Sequence, residues 1–142
     1  MEKNEEAKDF INLGIVINKR GDVLMIRRRK KEAGKDGSIL EWAFPGGKQR
    51  YKESRGACVR REILAETGYD VVVARENVSM RIHPQIPVFI IYHFCGLKSE
   101  KPIAEPKEFH EVAEIRWVKK EEIKNLITTD FDKNVARGLG IK

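Results

Sequence analysis

Apolar and polar positions alternate most clearly at the start of the chain. Phe10 to Ile17 and Asp22 to Ile26, both rich in Ile and Val, flank the turn-like Asn18-Lys19-Arg20-Gly21, and this spacing predicts a β-hairpin. In the second run Val23, Met25 and Arg27 alternate with Leu24, Ile26 and Arg28, so the strand starts buried and emerges among cations. Lys30 to Ser38 reads as a loop, and Ile39 to Phe44 as a short strand that delivers Trp42 and Phe44 to Pro45-Gly46-Gly47. Glu53 to Thr67 predicts a helix ended by Gly68, with Ala57, Cys58, Ile63 and Leu64 available to the core.

Two longer β-type runs follow, Asp70 to Ile82 and Pro87 to Cys95, joined by His83-Pro84-Gln85-Ile86. Both faces of the second run are largely apolar, as suits a central strand covered on both sides. Gly96 to Phe109 reads as a loop, Glu111 to Val118 as a strand, Glu121 to Ile127 as a helix, and the tail from Thr128 as a place for one more short helix. The order predicts a single α/β domain over 1–142, with a mixed sheet between helical layers and residues 1–9 as a frayed or helical leader.

The segment from Gly46 to Tyr69 concentrates the chemistry. Glu62 and Glu66, four residues apart, fall about 40° apart around a helix and about 6 Å apart along it, beside a Gly-Gly turn. A carboxylate pair in that setting can grip a hard cation and the phosphates it bridges. Gly47, Glu53, Arg61, Glu62, Ile63, Glu66 and Gly68 fall on the spacing of the Nudix hydrolase signature, which this segment resembles; Trp42, Phe44, Pro45, Gly46, Gly47 and Lys48 resemble its usual lead-in. Ala65 stands where the family usually has the first Glu of an E-E pair, and Tyr69 where it has an aliphatic residue.

The resemblance implies a Nudix α/β/α sandwich and water attack on a nucleoside diphosphate linked to another group, with Mg²⁺ or Mn²⁺ as cofactor. Carried over by position, Glu62, Glu66 and the Gly46 carbonyl would hold metal, Glu53 and Arg61 would support them, and Glu111, with Glu108 as substitute, would be the loop acid acting as ligand or general base. Arg27, Phe44, Lys48, Arg81 and His83 are the substrate-binding candidates. The expected reaction converts a nucleoside triphosphate, such as oxidised 8-oxo-dGTP, to monophosphate and pyrophosphate. Three alternatives stand beside it: ADP-ribose, suggested by Pro84 sixteen residues after Gly68; RNA 5′ ends; and a module that binds nucleotide or RNA without turnover.

Composition adjusts this picture in three places. The excess of Lys and Arg over Asp and Glu, 28 − 22 = +6, gathers between Lys19 and Arg61 and would draw polyanions. Cys58 and Cys95 form no metal or redox motif and read as buried free thiols. The acidic start and the lack of any apolar run near 18 residues give the expectation of a cytoplasmic protein without a membrane partner. A homodimer is compatible with the resemblance.

Overall fold

The structure, a computed structural model, describes residues 9–33, 39–108, 110–127 and 131–141. The expected leader before Asp9, the centre of the expected loop at 34–38 and the start of the tail at 128–130 lie outside the described residues. The elements run β1 (Phe10–Val16), β2 (Val23–Ala33), β3 (Ile39–Ala43), β4 (Gly46–Lys48), α1 (Arg55–Thr67), β5 (Val71–Ile82), β6 (Phe89–Leu97), β7 (Val112–Val118), a 3-10 turn at Lys120–Glu122, α2 (Ile123–Leu126) and α3 (Lys133–Leu139).

Four strands form a mixed sheet in the order β4-β1-β6-β5, and three form an antiparallel sheet in the order β3-β2-β7. β6 is internal, parallel to β1 and antiparallel to β5, as its two apolar faces require. The expected hairpin at the start is corrected. Asn18 does close a turn, accepting the Gly21 and Asp22 amides on its carbonyl and side-chain oxygens, but the two strands touch in only one bridge, Ile17 to Val23, before diverging into different sheets. β2 also continues through Lys30 to Ala33, paired with β3, where a loop was expected.

The two larger apolar clusters contain residues from both sheets, so the sheets together form one central layer. On one side Val59 and Ile63 of α1 pack on Val16, Leu24, Val71 and Cys95. On the other, Ile123 of α2 with Val135 and Leu139 of α3 cover Ile15, Val23, Met25, Tyr92 and Phe94. Among the described residues no helix is long and apolar enough to cross a membrane.

Candidate active site

α1 begins where Ser54 turns its hydroxyl back to accept the Ala57 amide, and it ends where Gly68, at φ 82°, sends its own N–H to the Leu64 carbonyl. Cys58, Val59 and Ile63 are buried, so the stripe runs through Val59, while Ala57 is exposed. Glu62 and Glu66 lie on its flank. The Pro-Gly-Gly turn in front of them has no room for side chains: a Cβ on Gly46, at φ +149°, would overlap the Asn12 carbonyl oxygen, and one on Gly47 would overlap the Glu62 carboxylate.

That approach brings the Gly46 N–H to 2.8 Å from Glu66 Oε1. Glu66 is only 8% exposed, and burial pushes its carboxyl up to about 8. The Gly46 hydrogen bond opposes the rise, the charge of Glu62 adds to it, Arg28 opposes it and Glu108 adds a little more. The donor set therefore fits a divalent cation, because acidic groups converge on a buried carboxylate whose ionised form a cation would stabilise. Gly46 lies opposite Leu13 in the β1–β4 ladder.

Glu62 is oriented by Arg61. The guanidinium donates to Glu62 Oε2 at 2.5 Å, to both oxygens of Glu53 at 2.7 and 2.9 Å, and to the Lys48 carbonyl at 3.1 Å. Glu53 also accepts the Arg50 amide, and the Arg61 hydrogen bonds hold its carboxyl below the usual range despite partial burial. Arg61 is raised above its ordinary value, chiefly by Glu53. Glu62, Glu53 and the loop before α1 are thus clamped by Arg61.

A buried polar chain supports the same loop from below. The Asn77 amide donates to His93 Nδ1 at 3.1 Å, which leaves His93 Nε2 to donate to Asn12 Oδ1 at 2.8 Å. Asn12 Nδ2 donates to Gln49 Oε1, and Gln49 Nε2 to the Glu53 carbonyl, each at 2.8 Å. His93 and Asn12 are fully buried. Burial, and secondarily the charge of Arg55, pushes His93 down to about 4, consistent with a neutral ring that accepts at Nδ1. Its sequence signal is Asn12 at an inward position of an otherwise apolar strand.

The other candidate residues separate. Arg27 is paired with Glu114 at 3.2 Å and Glu41 at 3.6 Å, on the strand face shared with Met25, whereas Arg28, one residue on, is the cation whose charge reaches Glu66. Phe44, expected to meet substrate, is corrected to a core residue: it is 4% exposed and meets Tyr92 edge-on. Lys48 is exposed next to Gly47. Arg81 donates to the Tyr92 hydroxyl at 3.1 Å, and His83 accepts the Gln85 and Ile86 amides as a turn residue. Of the loop acids, Glu108 is the one whose charge reaches Glu66; its amide and that of Lys107 donate to the Ala65 carbonyl. Glu111 points outward with its side chain 66% exposed. Cys58 and Cys95 are buried free thiols, both pushed up to about 12 by burial.

Comparison with known proteins places these features. The family profile described as "NUDIX domain" matches residues 11–138. Over 78 residues, 54% of this chain, the sequence is 36% identical to mRNA-decapping enzyme subunit 2 of Arabidopsis thaliana. That match covers 20% of the Arabidopsis protein, so the chain spans about a fifth of the curated relative's length. The MutT protein from Methanosarcina mazei Go1 superposes with a TM-score of 0.62 at 23% identity, over 85% of this chain and 83% of that one. A Nudix-family hydrolase from Clostridium perfringens superposes with a TM-score of 0.67 at 15% identity, over 94% and 97%. Since the profile runs through nearly every strand and through the whole of α1, the chain belongs to the Nudix family.

Proposed function

We propose that the protein is a Mg²⁺- or Mn²⁺-dependent pyrophosphohydrolase that converts a nucleoside triphosphate, such as an oxidised one of the 8-oxo-dGTP kind, to monophosphate and pyrophosphate. The observation that carries this reading is the Glu62–Glu66 pair, held by Arg61 and by the Gly46 N–H against the Pro-Gly-Gly turn. Glu62, Glu66 and the Gly46 carbonyl would hold the ion. Once bound, it neutralises diphosphate oxygens and makes water a better nucleophile.

The chain's own residues do the positioning. Arg61 fixes one carboxylate, Gly46 fixes the other, and the buried chain from His93 holds the loop that carries Glu53. Glu108 would take the proton from water and Arg28 would meet a phosphate oxygen, roles supported by both charges being felt at Glu66. With Ala65 in place of a usual acid, two box carboxylates suffice for one ion, because Mg²⁺ completes its shell with water and substrate phosphates.

A second reading, removal of pyrophosphate or a cap from RNA 5′ ends, is favoured by the 36% identity to the decapping subunit and by the basic run Arg27 to Lys31. ADP-ribose rests on Pro84 alone. The test is a panel of nucleoside triphosphates, ADP-ribose, dinucleoside polyphosphates and 5′-triphosphate RNA with Mg²⁺ or Mn²⁺, read by product identity. Monophosphate and pyrophosphate should appear with nucleoside triphosphates, and Glu66→Gln should abolish their release; unchanged turnover in that variant would sink the assignment.

A further inference from the structure

Among the described residues, two that are not glycine have positive φ: Lys52 at 63° and Asn77 at 55°. L-residues with side chains adopt that region rarely, Asn more readily than most, and they persist there where the surroundings hold them. For Asn77 the cause is a bulge. Arg75 of β5 pairs with Phe94 of β6 and Ser79 with Tyr92, so Glu76, Asn77 and Val78 stand opposite the single residue His93.

The bulge gives Asn77 two partners on different elements. Its amide donates to His93 Nδ1 at 3.1 Å, and its side-chain Oδ1 accepts from Arg55 Nη1, at the first turn of α1, at 2.7 Å. From His93 the buried chain runs through Asn12 and Gln49 to the Glu53 carbonyl, two residues before Arg55. The path therefore returns to Asn77 and closes. No member can shift without lengthening a hydrogen bond elsewhere in the ring. Lys52, the other left-handed residue, lies in the loop from Gln49 to Arg55 that the ring spans. Arg55 is also seated over the Phe10 ring, 5.0 Å from its centroid. Within this loop the Glu53 carboxylate accepts the Arg50 amide and two bonds from Arg61, which in turn donates to Glu62.

We propose that Asn77, outside the box and on the strand beside it, is a positioning residue for the metal grip. By closing the ring it fixes the loop from Gln49 to Arg55, so that Glu53 holds Arg61 and Arg61 holds Glu62. Glu66 is held separately, by the Gly46 N–H, so loss of the ring loosens one carboxylate of the pair and leaves the other. The inference rests on the reading that Glu62 and Glu66 hold the ion.

The test titrates Mn²⁺ alone into the full chain, without substrate, and follows the free ion by electron paramagnetic resonance. Asn77→Gly adopts the left-handed backbone without strain and keeps the amide, so it removes only the acceptor for Arg55. Loss of a direct outer partner of a metal ligand costs about tenfold to a hundredfold in affinity, and Asn77 acts several bonds further out, so Asn77→Gly should raise the Kd by about threefold to tenfold. Asn77→Asp, which keeps an acceptor and tolerates the same backbone, should restore the wild-type Kd to within about twofold. In a chain already carrying Arg55→Met, Asn77→Gly should weaken binding no further. A merely structural role would lower stability in urea unfolding and leave the Kd of fully folded samples unchanged. That result, or additive losses in the double variant, would overturn the inference while wild-type binding of Mn²⁺ still upheld the metal reading. No Mn²⁺ binding by wild type would sink that reading, and the inference with it.

Discussion

At the scale of single residues, Glu66 sets a conflict between folding and chemistry. Its carboxyl titrates near 8 in the folded, metal-free protein and near 4.5 in an unfolded chain, so the folded state holds the proton more tightly. The associated stability is fully present below the unfolded value and is lost as pH rises through the folded one. Glu66→Gln keeps an acceptor for the Gly46 N–H and never ionises. In chelator-treated samples its stability relative to wild type should therefore increase between pH 4.5 and 8, reaching an advantage on the order of 4 kcal/mol at the upper end. Urea unfolding at the two pH values measures this, and added Mg²⁺ should narrow the gap by stabilising wild type alone. A difference independent of pH would mean that Glu66 is not the group responsible. Residue identity was easier to read in the sequence than residue direction. The box acids were legible because their spacing on a helix puts them together. Which of Arg27 and Arg28 turns towards Glu66 was not, since alternation separates the two faces of a strand without saying which one meets α1.

At the scale of elements, the helix, its caps and the long strands were legible because their signals are local: Ser54 and Gly68 bracket α1, and β-branched runs mark β1, β5 and β6. The first hairpin failed for a non-local reason. Ile17 and Val23 do meet, but β1 finds better partners in β6 and β4, and β2 in β3 and β7, none of which the turn sequence can report. The loop before α1 rests on a link of the same non-local kind. His93 of β6, Asn12 of β1 and Gln49 just beyond β4 join three strands to the Glu53 carbonyl. Replacing His93 by Phe preserves bulk but leaves the Asn77 amide and Asn12 Oδ1 without their partner. The expected cost is about 1–3 kcal/mol in urea unfolding, chiefly from the buried Asn12 Oδ1 left unsatisfied. His93→Gln, which offers both an acceptor and a donor, should recover part of that loss. Equal losses in the two variants would show that packing, not the hydrogen bonds, is what His93 supplies.

For the molecule as a whole, the net charge of +6 acts at longer range than any contact. A free nucleotide meets only the cations near the turn, whereas an RNA chain would also lie along the basic surface and release counterions from it. If RNA 5′ ends are the substrate, kcat/KM on 5′-triphosphate RNA should fall with salt more steeply than kcat/KM on nucleoside triphosphate, measured between about 50 and 200 mM salt. Parallel slopes would assign the basic residues to solubility. The substrate was not legible in the sequence because the motif specifies the bond cleaved, while recognition of the rest depends on side chains that only folding brings together.

The parallel pairing of β1 with β6 has a consequence for the growing chain. Phe10 to Val16 must wait for Phe89 to Cys95 before the central sheet can close, whereas α1 is complete at Thr67. During synthesis from the N-terminus the acid-bearing helix therefore emerges well before the strand that completes its floor. A chain ending before residue 89 should therefore have the complete sequence motif but a weaker grip on metal, because the β1 strand that carries the Gly46 turn lacks its parallel partner.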